Sequence, residues 1–212
     1  MKTDTTKELI HVAIDGPVAG GKGTVARGLS QALGVPCLDT GAIYRGIAVA
    51  YRQNKNLNPN IKAKIINNIT HIYLDGVDIT YVLRENEISQ LASYVATFPE
   101  VRKLCTRVSQ ELAKGHSLIA EGRDICSVVL PDAKYKFYLT AKIKVRARRR
   151  YEELIAKGRD ISFHQVLKET KQRDNRDMTK GGLVKTADAV LVDSTKMTID
   201  QTVQHMLQLI SR

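Results

Sequence analysis

The chain has 212 residues, of which 43% are hydrophobic and 26% are charged, a balance typical of a globular domain with a substantial core. No apolar run is long enough to cross a membrane, and the polar start MKTDTTKEL lacks the apolar core of a signal peptide. Three scattered cysteines, Cys37, Cys105 and Cys126, have no metal-ligand spacing, so we expect a reducing, cytoplasmic location and no membrane partner.

The formal net charge of +11 indicates an anionic partner, either nucleic acid or a small polyanion. Basic residues concentrate between Lys142 and Arg159, where they could also form a solvated helix face. A nucleic-acid surface usually adds aromatic side chains that stack on bases, yet aromatics are only 5% of the chain and Trp is absent. We therefore expect a small phosphorylated ligand and no nucleic acid.

Short apolar runs alternate with amphipathic helical segments along the chain, which predicts a parallel β-sheet covered by helices on both faces. The predicted strands are Ile10–Ile14, Pro36–Leu38, Ser117–Ala120, Tyr135–Leu139 and Ala189–Val192. The predicted helices are Lys22–Leu33, Ala42–Gln53, Ile61–Asn68, Ser89–Thr97, Glu100–Lys114, Lys142–Lys157, Ser162–Arg176 and Ile199–Ile210. In an open sheet of this kind, ligands bind beyond the carboxyl ends of the strands.

One segment interrupts this alternation. Ile72–Tyr81 (IYLDGVDITY) contains Asp75-Gly76 between two apolar runs, which is a signal for a short antiparallel hairpin. Because an antiparallel hairpin does not belong to a parallel core, we interpret residues 58–87 as a small insertion. Only one hairpin is evident, which predicts a reduced sheet that lacks a strand.

The strongest local signal is Gly16–Thr24 (GPVAGGKGT), between the first predicted strand and the first predicted helix. This placement is that of a phosphate-binding P-loop, whose backbone N–H groups and helix N-terminus surround phosphate oxygens. Lys22 is expected to contact the β- and γ-phosphates, and the Thr24 hydroxyl a bound Mg²⁺. The predicted binding residues of the loop are Gly16, Pro17, Val18, Ala19, Gly20, Gly21, Lys22, Gly23 and Thr24.

Three further polar segments are candidates for the site. Leu38–Arg45 (LDTGAIYR) combines helix-capping residues with a tyrosine and an arginine one turn into the helix. Glu121–Asp124 (EGRD) offers a carboxylate that could orient Mg²⁺-bound water and an arginine suited to a phosphate. Arg173 and Asp177 are four residues apart and share a helix face. Alone, each pattern also fits a plain structural feature, namely a capped helix, a charged turn or an exposed salt bridge.

Together and in this order, these motifs closely resemble those of the bacterial-type cytidylate kinase family, over nearly the whole chain apart from the insertion. The matching stretches are IDGPVAGGKGT at 14–24, LDTGAIYRGIA at 38–48, SYVATFPEVR at 93–102, AEGRDICSVVLPDA at 120–133, RDNRD at 173–177 and ADAVLVDST at 187–195. The loop alone indicates only a nucleotide binder, whereas LDTGAIYR together with EGRD is far more specific.

The resemblance implies a single P-loop kinase domain over residues 1–212. Its fold is expected to be α/β, with a five-stranded parallel sheet flanked by helices, a small NMP-binding insertion at 58–87 and a helical lid at 142–182. The implied activity is transfer of the γ-phosphoryl group of ATP to CMP or dCMP, with Mg²⁺ bound alongside ATP. The expected partners are these nucleotides, and a monomer is expected.

The resemblance also assigns site residues by matching position. The acceptor site comprises Thr40, Tyr44, Arg45, Ser93, Arg102, Arg123, Asp124, Arg173, Asp177 and Lys180. The catalytic set comprises Lys22, Arg123, Arg149 and Arg150, and the ATP site adds Arg146 to the loop residues. Lys180 stands where the family usually has arginine, and lysine keeps the charge but loses the planar fork that binds phosphate.

Arg102 and Asp124 also suit cytosine chemically, because cytosine has acceptors at O2 and N3 and a donor at N4. Uracil has a carbonyl in place of the amine and a donor at N3, so it would leave polar groups unpaired, at a cost of about 1–3 kcal/mol each. Two alternatives stay open at this point: another small-molecule P-loop kinase with UMP or AMP as acceptor, and a nucleic-acid-associated P-loop ATPase.

Overall fold

The computed structural model describes residues 9–180 and 182–211. Residues 1–8, which belong to the polar start that lacks a signal-peptide core, lie outside the described residues. Gly181, within the predicted lid, also lies outside them. In chain order the elements are β1 (His11–Asp15), α1 (Lys22–Leu33), β2 (Cys37–Asp39), α2 (Thr40–Asn54), β3 (Ile61–Ile66), β4 (Ile69–Leu74), β5 (Val77–Asp78), α3 (Asn86–Val95), α4 (Pro99–Ala113), β6 (Leu118–Gly122), β7 (Tyr135–Thr140), α5 (Ile143–Ala156), α6 (Phe163–Thr179), β8 (Val190–Asp193) and α7 (Ile199–Ile210), with short helical turns at Thr80–Arg84 and Ile125–Val129.

Five strands form one parallel sheet in the order β2-β6-β1-β7-β8. The central strands are apolar because helices cover both faces of the sheet. In β1, Val12 and Ile14 pack in the layer of α1 and α7, whereas Ala13 packs in the layer of α2 and α4. The predicted α/β class and all five predicted strands are therefore confirmed, with bounds displaced by at most two residues.

The helices follow the predictions with one exception. Seven of the eight predicted helices are present, with ends displaced by at most three residues. Helices α5 and α6 pack against each other, and α1 packs against α7. Among the residues that the structure describes, no helix is both long enough and apolar enough to cross a bilayer.

The predicted helix Ile61–Asn68 is wrong, because most of it is strand β3 of a small antiparallel sheet with the order β3-β4-β5. Ile61, Ala63 and Ile65 alternate with exposed lysines and pack towards the core, which is the two-residue period of a strand. Asn67 and Asn68 turn the chain with φ of 50° and 59°, as a two-residue hairpin turn requires. The predicted hairpin is the pair β4-β5, and β3 adds a third strand to the single hairpin that the sequence predicted.

The small sheet packs closely against α2 and the end of β2. A Cβ atom at Gly46 would lie 2.6 Å from side-chain atoms of both Ile61 and Ile72, so only glycine allows this approach. The backbone N–H of Asp39 donates to Thr70 Oγ1 at 3.0 Å. These contacts place the small sheet beside the carboxyl end of β2, where the segment LDTGAIYR begins.

Candidate active site

Gly16–Thr24 forms a tight connection between β1 and α1. Gly16 and Gly21 have φ of 151° and 87°, and a side chain at Gly16 would overlap the carbonyl oxygen of Leu139. Ala19 holds a φ of 56°, which is uncommon outside glycine. The loop lines a cleft of about 840 Å³ at the carboxyl ends of the parallel strands.

Lys22, the first residue of α1, is turned back over this loop. Its Nζ donates to the carbonyl oxygen of Pro17 at 2.9 Å, and the residue is only 5% exposed. Burial lowers the pKa of Lys22 to about 7, and the charge of Arg123 acts in the same direction, against the opposing effect of Glu121. The neighbouring carboxylates therefore supply less counter-charge than this buried lysine needs, which suits an anionic ligand.

Cationic side chains dominate the cleft: among the described residues, eight lysines and arginines line it, against four carboxylates. Arg45 Nη2 donates to Asp39 Oδ2 at 2.5 Å, and Arg123 Nε donates to Asp177 Oδ2 at 2.6 Å. The Nε of Arg173 is buried without a hydrogen bond, and desolvation together with the charge of Arg123 lowers the pKa of Arg173 to about 10. This excess of positive charge favours a polyanionic ligand.

Asp39 and Glu121 bring carboxylates close to the start of α1. A Cβ atom at Gly23 would lie 3.4 Å from Glu121 Oε1, which places that carboxylate against the loop. Desolvation and the charge of Asp39 raise the pKa of Glu121, whereas desolvation of Asp39 is outweighed by Arg45, which lowers the pKa of that carboxyl. With the Thr24 hydroxyl, which also lines the cleft, these oxygens are hard donors of the kind that Mg²⁺ prefers, so the residues fit this ion.

Arg102 and Asp124 form an ion pair of 2.5 Å at one end of the cleft. Asp124 is buried, and burial raises its pKa despite the opposing charge of Arg102. Ser93, which lines the cleft nearby, accepts a hydrogen bond from Arg176 Nη1 at 3.0 Å. This bond ties α3 to α6.

Two arginines of α5 line the cleft and already have partners. Arg149 donates to the hydroxyl of Ser194 at 3.1 Å and to the carbonyl oxygen of Ser194 at 2.8 Å, in the loop that follows β8. Arg150 pairs with Glu153 at 2.8 Å, one turn along the same helix. Both guanidinium groups thus border the space in front of the P-loop.

Arg146, also on α5, is buried behind the loop. Its guanidinium donates to Asp174 Oδ2 at 2.8 Å, to the Val18 carbonyl at 2.9 Å and to the Ala141 carbonyl at 2.8 Å. Asp174 in turn accepts from the Val18 N–H at 3.3 Å. The pair of Arg146 and Asp174 therefore links α5 to α6, and it links both helices to the N–H and the carbonyl of Val18 in the loop.

The structure brings most of the predicted site residues together. Those that line the cleft are Val18, Ala19, Gly20, Gly21, Lys22, Gly23, Thr24, Thr40, Tyr44, Arg45, Ser93, Arg102, Arg123, Arg149, Arg150, Arg173 and Asp177. Gly16, Pro17 and Arg146 do not line it, and the assignment of Arg146 to ATP stays a prediction. Asp124 and Lys180 line a neighbouring groove along α4, which shares Arg102 with the cleft. Lys180 is exposed after the end of α6, and its contact with an acceptor phosphate likewise stays a prediction.

Sequence reasoning missed two buried acidic residues, Asp15 and Asp174. Asp15 ends the apolar strand β1, and a lone carboxylate at the end of a buried strand is a signal that could have found it, because such a group needs partners. Asp174 lies in a helix rich in exposed charges, where spacing does not distinguish the one that points inward.

A P-loop at a strand-to-helix junction, facing a basic cleft, defines the class of protein as a P-loop nucleotide-binding protein. The crystal structure of shikimate kinase from Bacteroides thetaiotaomicron superposes with a TM-score of 0.55 over 97% of this chain and 100% of that chain. The two sequences are only 12% identical, so the likeness concerns the fold alone.

The family model for cytidylate kinase matches residues 12–212. Relatives named cytidylate kinase include the protein from Caldicellulosiruptor bescii, which is 40% identical over 94% of this chain and 95% of the relative. The protein of that name from Caldanaerobacter subterraneus subsp. tengcongensis is 38% identical over 96% of this chain and 95% of the relative. The chain belongs to the cytidylate kinase family, and the resemblance drawn from its motifs is confirmed.

Proposed function

We propose that this protein transfers the γ-phosphoryl group of ATP to CMP or dCMP and releases ADP with CDP or dCDP. The observation that carries the proposal is the Arg102–Asp124 pair beside a P-loop cleft. The loop and its buried lysine suit a nucleoside triphosphate, and the ion pair suits the donor and acceptor pattern of cytosine. The name of the family agrees with both halves of the reaction.

On the donor side, the backbone of the P-loop surrounds the ATP phosphates, and Lys22 contacts the β- and γ-phosphates. The Thr24 hydroxyl would hold Mg²⁺ together with the ATP phosphates, and the Glu121 carboxylate would orient water bound to the ion. When bound, this ion neutralises charge on the phosphates. Arg123, Arg149 and Arg150 border the same space, so they can stabilise the charge on the transferring group.

On the acceptor side, we assign the phosphate of CMP to Thr40, Arg45, Arg123 and Lys180, with Tyr44 alongside. Arg173 and Asp177 lie near the sugar, and Ser93, Arg102 and Asp124 contact the base. Two of the arginines, Arg45 and Arg123, are already oriented by carboxylates at 2.5 and 2.6 Å. Little reorganisation is then needed when the acceptor phosphate enters, which favours in-line attack of its oxygen on the γ-phosphorus.

Residues 58–87 act in this proposal as the NMP-binding insertion and residues 142–182 as the lid. Closure of both over the nucleotides excludes water, which otherwise competes as an acceptor of the phosphoryl group. We propose a cytoplasmic monomer that binds Mg²⁺–ATP and CMP or dCMP, with no nucleic-acid or membrane partner. The low aromatic content and the broken apolar runs support this choice of partners.

The proposal is tested by coupled measurement of ADP release with CMP, dCMP, UMP, AMP or no acceptor. We expect rates with CMP and dCMP far above those with UMP or AMP. Equal rates with UMP would contradict recognition of cytosine. ATP hydrolysis that does not depend on an acceptor would favour the nucleic-acid-associated ATPase instead.

Asp124→Asn tests the residue that carries the choice of acceptor. Because the amide no longer presents two equivalent acceptors, we expect kcat/KM for CMP to fall by about tenfold or more, with the dissociation constant of ATP unchanged. Asp132→Asn, the same chemical change at an exposed residue that lines neither the cleft nor the groove, is the matched control and should leave both unchanged. A loss of ATP affinity in Asp124→Asn would place this carboxylate in the donor site.

A further inference from the structure

Asp15, the last residue of β1, buries its carboxylate almost completely, with 1% of the residue exposed. Its Oδ1 accepts from the Ile125 N–H at 2.8 Å, and its Oδ2 accepts from the Cys126 N–H at 2.9 Å. Each oxygen satisfies one backbone donor at the start of the helical turn that follows β6. Hydrogen bonds to a charged group are about twice as strong as neutral ones, so this anchor is a firm one.

The backbone of Asp15 also pairs with Gly122, which lies three residues before Ile125. Strands β1 and β6 are in register with Asp15 opposite Gly122. Only Arg123 and Asp124 separate this strand pairing from the hydrogen-bonded N–H of Ile125. A single residue therefore holds the chain on both sides of the dipeptide.

The two residues of this dipeptide direct their side chains to different parts of the site. Arg123 lines the cleft and pairs with Asp177, whereas Asp124 pairs with Arg102 at the cleft's end. Asp15 does not line the cleft, although the P-loop begins at the next residue. Its contacts with the site therefore pass through the backbone that it holds, while its charge also acts on Lys22 and Asp124.

We propose that Asp15 is a positioning residue for the nucleoside monophosphate acceptor. Its carboxylate sets the backbone of residues 123–126, and with it the placement of Arg123 against the acceptor phosphate and of Asp124 against the base. The identity of the acceptor rests on the proposed function, but the anchoring itself does not. Asp15 thereby differs from the P-loop residues that follow it, because loss of its carboxylate impairs the acceptor site and spares ATP.

The experiment compares Asp15→Asn and Asp15→Ala with the unmodified protein. Asparagine leaves one acceptor oxygen for the two N–H groups, and alanine leaves none. We expect KM for CMP to rise by about tenfold or more in the Asn variant and further in the Ala variant, while KM for ATP stays within about twofold. Amide hydrogen exchange should accelerate in peptides that cover residues 122–130 and stay unchanged in those that cover the P-loop.

Met206→Ala is the control for loss of stability alone. Met206 is fully buried on α7, and its truncation leaves a cavity in the layer of α1 and α7, whereas Ile125 and Cys126 pack in the other layer, so both KM values and the exchange of residues 122–130 should be unchanged. An equal rise of both KM values overturns the proposal, and so does a folded Asn variant with unchanged CMP kinetics. Failure of both Asp15 variants to fold also overturns it, since the carboxylate then supports the whole domain.

A failure of the proposed function can be distinguished from a failure of the Asp15 anchoring. If the unmodified protein does not phosphorylate CMP, hydrogen exchange at Ile125 and Cys126 still tests the anchoring. The kinetic arm is then run with whichever acceptor the panel of nucleotides identifies.

Discussion

Lys22 is a residue whose charge is costly to the fold, because its ammonium group is buried and the neighbouring carboxylates only partly offset this burial. An unfolded lysine titrates near 10.5, whereas burial and Arg123 lower the pKa of Lys22 to about 7. The unfolded chain therefore binds more protons between these two pH values. It follows that Lys22 destabilises the ligand-free fold fully below about pH 7, and progressively less as the pH rises towards 10.5.

Lys22→Met should accordingly stabilise the ligand-free protein while abolishing turnover. At pH 6 we expect the free energy of unfolding to rise by about 1 kcal/mol or more, since one unit of pKa corresponds to about 1.4 kcal/mol. The gain should shrink between pH 7 and pH 10, and turnover should fall by orders of magnitude because the lysine acts on the transferring phosphates. Urea denaturation at pH 6, 8 and 10 checks the first effect, and a gain that does not change with pH would contradict it.

Lys180 tests whether a residue outside the ligand-free cleft takes part in the reaction. If it contacts the acceptor phosphate, Lys180→Ala should raise KM for CMP by about tenfold, and Lys180→Arg should preserve or improve activity through the bidentate fork. Lys171→Ala, an exposed change on α6, is the control. Steady-state kinetics with CMP varied give the answer. Unchanged kinetics in both Lys180 variants would mean that Arg45 and Arg123 hold the phosphate without it.

At the scale of elements, α5 and α6 act on the P-loop as one unit through the pair of Arg146 and Asp174. Both side chains are only 7% exposed, and together they bind the N–H and the carbonyl of Val18. Removing one partner of a buried ion pair leaves an uncompensated charge at a cost of about 3–5 kcal/mol, whereas apolar replacement of both avoids that cost. The pair is thus expected to serve the position of the loop more than the stability of the fold.

Two variants separate these contributions. Asp174→Leu alone should lower the free energy of unfolding by about 3 kcal/mol or more, and Arg146→Met combined with Asp174→Leu should recover much of that loss. KM for ATP should rise in both, because Val18 loses its anchor in both. Urea denaturation and kinetics with ATP varied measure the two effects. A double variant as unstable as the single one, or one with unchanged KM for ATP, would contradict this account.

An element or a site residue could be predicted from the sequence when the residues that determine it lie close together in the chain. β1 and α1 are fixed by an apolar run followed by a glycine-rich turn, so the P-loop could be placed from sequence. β3 could not, because Ile61 and Ile65 fit one face of a helix as well as one face of a strand, and the choice is made by packing against α2. Arg146 and Asp174 are 28 residues apart, so no local pattern reveals that they meet.

At the scale of the whole molecule, part of the excess positive charge lies where ligands are expected. Among the described residues, the cleft combines eight cationic side chains with four carboxylates, within a chain of net charge +11. Like charges within one cleft repel one another and destabilise the compact state, and a bound anion reduces this repulsion. We therefore expect multivalent phosphates to raise the melting temperature of the protein by binding in the cleft.

Inorganic tripolyphosphate tests this expectation without a nucleotide base. At a concentration well above its dissociation constant, we expect it to raise the melting temperature by about 5 °C, because it binds only the folded state. Sodium chloride at equal ionic strength screens charge without binding and should raise it much less. Lys22→Met combined with Arg173→Met should lose most of the shift, whereas Lys168→Gln combined with Lys171→Gln removes the same charge from the exposed face of α6 and should keep it. Equal shifts with both salts, or an equal loss in both double variants, would show that the anion responds to net charge and not to the cleft.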